Sequence, residues 1–186
     1  INMRFYGFGN FYLSSLQQGL QAGHTIADLF VKYNHADLNA ASVNEYTQPE
    51  EIELLESADM LLEWARDHKV MILLNGGNSA NLKELYDFLD TKENPYPFAK
   101  FHEDEQSLNC ALTYVGIILP ERIYETAAKI RQAAAHYYSE SNNELEIIQQ
   151  SFVDASQSEI IQNFSKFEYE LCLKICLLYT SDAADD

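Results

Sequence analysis

The chain has 186 residues, of which 47% are hydrophobic and 12% aromatic, a composition that excludes a disordered chain and suits one domain with a sizeable core. Asp and Glu outnumber Lys and Arg by 29 to 12, giving a formal net charge of −17. With no cluster of cations along the chain, that charge counts against tight, extended contact with nucleic acid and leaves room only for a small one.

Met3–Phe8 is short and aromatic-rich and predicts a strand, closed by a turn at Gly7, Gly9 and Asn10. A helix is predicted over Tyr12–Tyr33, followed by a polar, irregular stretch over Asn34–Gln48. Pro49, with Glu50, Glu51 and Glu53 behind it, has the chemistry of a helix start, and that helix is expected to reach about Asp67. Val70–Leu74 is a continuous apolar run of strand length, which predicts a strand buried on both faces. Asn75–Ser79 reads as a turn in which Asn78 or Ser79 caps a helix over Ala80–Leu89. Strands over Phe98–His102 and Thr113–Leu119 follow, and Pro120 suits the first turn of a helix running to about Tyr138. Ser139–Asn143 would break it, and Glu144–Ile175 predicts one or two further amphipathic helices. The order β-α-α-β-α-β-β predicts an α/β fold, a mixed four-stranded sheet covered by helices, with a helical C-terminal extension over 120–175 packed on it.

Cys110 and Cys172 have neither CxxC spacing nor disulfide density, which fits a reducing cytosol. No apolar run approaches the roughly 20 residues of a membrane span, and no signal peptide precedes Arg4, so a cytoplasmic protein without a membrane partner is expected. Residues 176–186 resemble the translation of a sequencing-library adapter, as at the cut end of an environmental gene fragment. They are expected to lie outside the natural chain, and Ile1-Asn2 upstream of a start at Met3.

Three segments carry candidate chemistry. Gln17, Gln21, His24 and Asp28 fall along one face of the first helix, where the Asp28 carboxylate would orient the His24 imidazole. Leu16, Leu20, Gly23, Ala27 and Phe30 form the adjacent face, expected to pack on the sheet. Gly19 and Gly23 each cost about 1 kcal/mol inside a helix relative to Ala, which points to close approach of backbone or ligand. The plainer alternative is a solvated polar face. The second segment, His102-Glu103-Asp104-Glu105-Gln106-Ser107, places three carboxylates together. Their repulsion favours protonation of one for acid–base work, against the alternative of a solvated acidic turn. It lacks the ligand spacing of a metal site, and no metal or cofactor is expected. The third, Asn75–Ser79, joins strand to helix where a phosphate cradle would lie, but matches neither GxxxxGK[ST] nor GxGxxG, so a plain capped turn explains it equally well. No GxSxG elbow exists, and Cys110 has no nucleophile context.

Together these pieces resemble the type II peptidyl-tRNA hydrolases, as a divergent, phage-like member. Gln18-Gly19-Leu20-Gln21-Ala22-Gly23-His24 is similar to the family's Lys-Ile-Ala-Ala-Gln-Cys-Ser-His-Ala stretch, with Gln21 and His24 on its glutamine and histidine. Trp64–Leu73 is similar to its Trp-containing helix and Lys-Val-Val strand, and Leu82-Lys83-Glu84-Leu85 to the helix after it. Phe101-His102-Glu103 takes the place of Ile-Gln-Asp, so Glu103 stands where the family has its site aspartate. Thr113–Ile117 matches the closing Thr-Val-Leu-Ala-Ile strand. The likeness covers residues 3–119 and implies cleavage of the ester joining a peptide to tRNA. Glu103 or His24 would activate water and Gln21 would hydrogen-bond substrate. Lys69 or Lys83 would approach a phosphate, and Gln17, Asp28, Gln106 and Ser107 would complete the substrate-binding set. The sequence departs from the family where its lysines become Ser15 and Gln17 and its Gly-Arg-Thr-Gln loop becomes Asp104-Glu105-Gln106-Ser107, both losses of positive charge. Two alternatives therefore stand beside hydrolysis: a non-catalytic phage-type binder that sequesters a small nucleotide signal, and an acidic helical interaction module. Residues 120–175 lie outside the likeness and would cover a surface or form a homo-oligomer.

Overall fold

The structure, a computed structural model, describes residues 2–34, 49–108, 110–135 and 164–182. The elements are β1 (Met3–Gly9), α1 (Ser15–Lys32), α2 (Pro49–Glu63), β2 (Val70–Asn75), α3 (Ser79–Leu89), β3 (Phe98–His102), α4 (Glu105–Leu108), β4 (Leu112–Pro120), α5 (Glu121–Ala135) and α6 (Lys166–Asp182). They build the expected α/β fold, a mixed four-stranded sheet in the order β2-β1-β4-β3. β1 and β2 run parallel from Arg4↔Val70 to Gly9↔Asn75, so both end at the same edge of the sheet. β3 and β4 pair antiparallel, with a register shift at Phe101/His102. The chain divides into two compact units, 1–119 and 120–186.

In the first unit, Met3 and Phe5 of β1 enter a core with Ala22 and Leu29 of α1 and Leu61 of α2. The lone Trp, Trp64, opens a π-helical turn (Trp64–His68) that follows α2. Its indole N–H donates to Val70 C=O at 2.9 Å and its ring lies 5.9 Å from that of Phe5. Lys69 closes the turn at φ 53°, a left-handed conformation that lets the chain reverse into β2. The helix predicted to reach Asp67 is therefore α-helical only to Glu63.

Two predicted packings are corrected. The Leu16/Leu20/Phe30 face of α1 does not meet the sheet. Leu16 is 77% exposed and Leu20 57%, while Gln21, Ala22, Thr25 and Leu29 are buried. The sheet surface explains the rotation. Tyr114 lies over Gly7 and Gly9 and Phe5 over Gly116, filling the space beneath the helix with aromatic rings. Only a small face fits above them, and a Cβ at Gly116 would come within 3.0 Å of Thr25 Cγ2. Gly19 and Gly23 meet nothing, since a Cβ at either would have no atom within 4 Å. The second correction is β2. It is an edge strand, with Val70, Met71 and Leu73 all exposed, rather than a strand buried on both faces. A continuous apolar run does not by itself distinguish the middle of a sheet from its edge.

In the second unit, Ile123 and Ile130 of α5 and Phe167, Leu171 and Ile175 of α6 are buried. Ser165 and Glu168 form a capping box at the start of α6, and the Glu168 carboxylate also pairs with Arg122. Pro120 ends β4 instead of opening α5, and the stretch 136–163, where a break and a further helix were predicted, lies outside the described residues. Helix α6 continues past Ile175 to Asp182, so the adapter-like stretch begins inside a helix. No helix among the described residues is long and apolar enough to cross a membrane.

Candidate functional site

The ends of β1, β2 and β3 and the beginning of β4 meet at one edge of the sheet, which the chain enters and leaves through short turns. Asn10 N–H donates to Thr113 C=O at 2.9 Å, and Gly76 N–H to Gly9 C=O at 2.7 Å. The Asn10 side chain is buried there, and its Nδ2 donates to Ser79 Oγ at 3.0 Å and Leu112 C=O at 3.2 Å. These bonds lock the β1–α1 turn to the start of α3.

Over this edge Gln21 Nε2 donates to Glu103 Oε1, and the Gln21 carbonyl oxygen lies 3.4 Å from Thr113 Oγ1, which donates to it. The amide is thereby oriented, with its oxygen toward β4 and its nitrogen toward the acid. Gln21 is buried and Glu103 half-buried, so the carboxylate rests on a fixed donor while staying open to solvent. Thr25 Oγ1 donates to Gln21 C=O at 2.9 Å, holding this turn of α1. His24 stands one turn on from Gln21, exposed. Its ring stacks on Phe101 with centroids 4.6 Å apart and planes 13° from parallel. Glu103 N–H donates to Ala111 C=O at 3.0 Å, and His102 Nδ1 lies 2.9 Å from Cys110 C=O. The acidic turn is thus a closed β3–β4 connection and not a loose loop. Tyr12 lies near enough to Glu103 that burial and then the Glu103 charge raise its phenol pKa, which keeps the hydroxyl a donor.

Gln21, His24 and Glu103 are thus brought together. The other predicted residues whose side chains are described make no contact with this group. Gln17 Oε1 accepts from Ser14 N–H at 2.9 Å, as half of the capping box that starts α1. Asp28 is exposed and forms no ion pair with His24 among the described residues. Lys69 precedes β2 at the strand end opposite Asn75, roughly 17 Å away along the strand, and its Nζ donates to Arg66 C=O at 3.3 Å. Lys83 is paired with Asp87 on α3. Gln106 is exposed on α4, and the Ser107 side chain lies outside the described residues. Three amides of the Asn75–Ser79 turn are committed within the protein, that of Gly76 to Gly9 as above. Gly77 N–H donates to Asn75 Oδ1 at 2.9 Å and Asn78 N–H to Asn81 Oδ1 at 3.0 Å, so it is a capped turn and not a phosphate cradle. Among the described residues no three His, Cys, Asp or Glu side chains converge as a metal site.

Thr113, Tyr12 and Asn10 are the residues that sequence reasoning missed as site components. A threonine opening an otherwise apolar strand is the one signal that could have found Thr113. No protein-family model matches the chain, and no curated protein matches it in sequence.

Proposed function

We propose that the Gln21–Glu103–Thr113 cluster hydrolyses an acyl ester carried on tRNA, with Glu103 as the general base. The observation that carries this reading is the Gln21–Glu103 hydrogen bond, which joins residues 82 apart in sequence at an open edge of the sheet. One Glu103 oxygen is held by Gln21, and the other takes a proton from water as the water oxygen bonds to the ester carbonyl carbon. The tetrahedral adduct then collapses, the ribose oxygen leaves, and the proton on Glu103 passes to it. The second Nε2 proton of Gln21 and the Tyr12 hydroxyl are donors for the carbonyl oxygen as it gains charge. His24 is the neighbouring group that could assist the proton transfer.

Lys69 lies at the far end of β2, and Lys83 shares its charge with Asp87 on α3, so neither lysine adds to the cluster the strong cation that extended tRNA binding needs. This favours a substrate held through its ester end, beside the exposed Phe11, whose ring lies 5.9 Å from that of Tyr12. Capture of a small nucleotide without cleavage would use the same cluster, but the Gly76, Gly77 and Asn78 amides of the neighbouring turn are already committed to Gly9, Asn75 and Asn81, so hydrolysis leads. The test is release of peptide from a model peptidyl-tRNA by the full chain. Turnover that Glu103→Gln slows by roughly 10²–10⁴-fold supports the reading. Turnover no faster than a buffer blank, or unchanged in Glu103→Gln, removes it.

A further inference from the structure

Helix α1 carries its apolar stripe on the side away from the sheet. Successive residues turn by about 100°, so Leu16, Leu20, Ala27, Phe30 and Val31 fall, with Gly19 and Gly23, within about 120° of the helix circumference. All of them are exposed, Leu16 by 77% and Val31 by 78%. No polar side chain falls inside that arc. A stripe of this width ordinarily faces a core. Here the inner side of the helix is made instead by Gln21, Ala22, Thr25 and Leu29.

The stripe is also free of charge. In a chain of net charge −17, α1 holds one acid, Asp28, and one base, Lys32, which cancel. Both lie outside the arc. Lys32 turns inward, its Nζ 3.5 Å from the Phe98 ring centroid and donating to Phe98 C=O at 3.0 Å. A membrane surface is a poor match, because helices that lie on lipid flank their apolar face with Lys and Arg and are drawn to anionic headgroups. A strongly charged partner would find nothing here to pair with. A second copy of the same face would meet no repulsion within the stripe, although the rest of the chain is acidic.

We propose that this face is the interface of a homodimer, in which α1 packs antiparallel on α1 of a second copy across a twofold axis at Gly23. The sequence of the stripe is self-complementary about that point. Gly23 meets the partner's Gly23, Gly19 meets the partner's Ala27, and Leu16 meets the partner's Phe30. Small residues at the centre let the two axes approach at or below the ~8–10 Å of ordinary helix pairs, and the bulky side chains close both ends. Antiparallel packing also sets the two helix dipoles head to tail. The exposed stripe amounts to roughly 500 Å² on each copy, so roughly 1,000 Å² in the pair, the lower limit for a specific interface and the size of a dimer that exchanges with monomer. Gln21 lies on the opposite side of the helix, buried, so the interface does not depend on the reaction proposed above.

The experiment is sedimentation velocity of the full chain over a range of concentrations. It compares the wild type, Leu20→Glu and, as a charge-matched control on the exposed β2 edge, Leu73→Glu, with thermal unfolding to show that each is folded. A monomer–dimer equilibrium in the micromolar range is expected. Leu20→Glu, which puts an unpaired carboxylate from each copy into the contact, should weaken it by about tenfold or more, and Leu73→Glu should leave it unchanged. Oxidation in a Cys110→Ser, Cys176→Ser background reads the register. Gly23→Cys should give a disulfide-linked dimer, whereas Ala27→Cys, whose two copies stand ~12 Å apart along the axis, should not. A wild type that stays monomeric, including one that instead sediments with phosphatidylcholine vesicles, overturns the proposal. So does a Leu20→Glu variant that unfolds, as it would if another part of the chain covered this face. A dimer weakened equally by Leu73→Glu, or a disulfide formed by Ala27→Cys, overturns it as well.

Discussion

Gln21 donates its side-chain N–H to Glu103 while its own carbonyl oxygen accepts from Thr113, so one buried amide joins α1 to the residue that follows β3 and to β4. The direction of this relay fixes what each residue can do. Glu103 is an acceptor at Oε1, and Gln21 cannot be rotated without turning its oxygen toward the acid.

Thr113→Val tests the relay without touching the acid. It removes the donor that orients Gln21 and leaves a buried carbonyl oxygen short of a partner, at a cost of roughly 1–3 kcal/mol of stability. On the proposed mechanism the turnover rate should fall while KM for the ester stays close to wild type, because the loss is in positioning. Thr113→Ser, which keeps the hydroxyl, should recover most of the rate. A serine variant as slow as the valine would show that the methyl packing, and not the hydrogen bond, is what matters.

The two kinds of glycine in this chain should respond oppositely to alanine. At Gly23, inside α1 with nothing within 4 Å of a Cβ, alanine should stabilise by roughly 0.5–1 kcal/mol through helix propensity. At Gly77, held at φ +84° with Asn81 close to where the Cβ would be, alanine should destabilise. Thermal unfolding followed by the fluorescence of Trp64 reads both. A stabilising Gly77→Ala, or a costly Gly23→Ala, would contradict this placement.

Those glycines also show where the sequence misleads. Helix costs at Gly19 and Gly23 suggested a close neighbour, but cost inside a helix says only that glycine is tolerated, and here it faces open space. Strand positions were legible from β-branched and aromatic runs, and Phe98–His102 forms as predicted. The buried face of α1 was not legible, because the apolar stripe Leu16/Leu20/Phe30 outscored Ala22/Thr25/Leu29. The deciding factor is the room left above Tyr114 and Phe5, which belongs to other strands. The site was half legible for the same reason. Gln21 and Glu103 could be paired only through a family likeness, and Thr113, Tyr12 and Asn10 enter through turn geometry that no local pattern encodes.

The exposed edge at β2 predicts a solubility effect. Val70, Met71 and Leu73 are each about 40% exposed on a strand that has no outer partner among the described residues, the arrangement that invites pairing between chains. Leu73→Lys should change unfolding stability by less than about 0.5 kcal/mol and slow aggregation on heating. Leu74, almost fully buried one residue on, should behave otherwise, with Leu74→Ala costing roughly 2–5 kcal/mol. Light scattering alongside unfolding separates the two. If Leu73→Lys unfolds the protein, the edge is covered in solution.

Lys32 predicts a pH window. Burial holds its folded pKa near 8, against 10.5 for the free side chain, so between those values the unfolded chain binds the proton that the folded chain has released. Stability contributed by this group must therefore rise with pH from about 8, and below that it is constant because both states are protonated. The rise cannot be followed far. Burial raises the Tyr33 phenol to about 12, so above 10 the unfolded state loses a proton that the folded state retains, and stability falls again. Tyr114, raised by the same cause, acts in the same direction. The usable interval is thus about pH 8 to 10, where Lys32 acts before the tyrosines do. Lys32→Met keeps most of the stem over Phe98 and removes the charge, so its stability should lack the rise. Denaturant unfolding of both proteins across this interval, monitored at Trp64, should show the wild type gaining on the variant as pH increases. Parallel curves would mean that the Lys32 ammonium is solvated in the folded chain and does not occupy the Phe98 face.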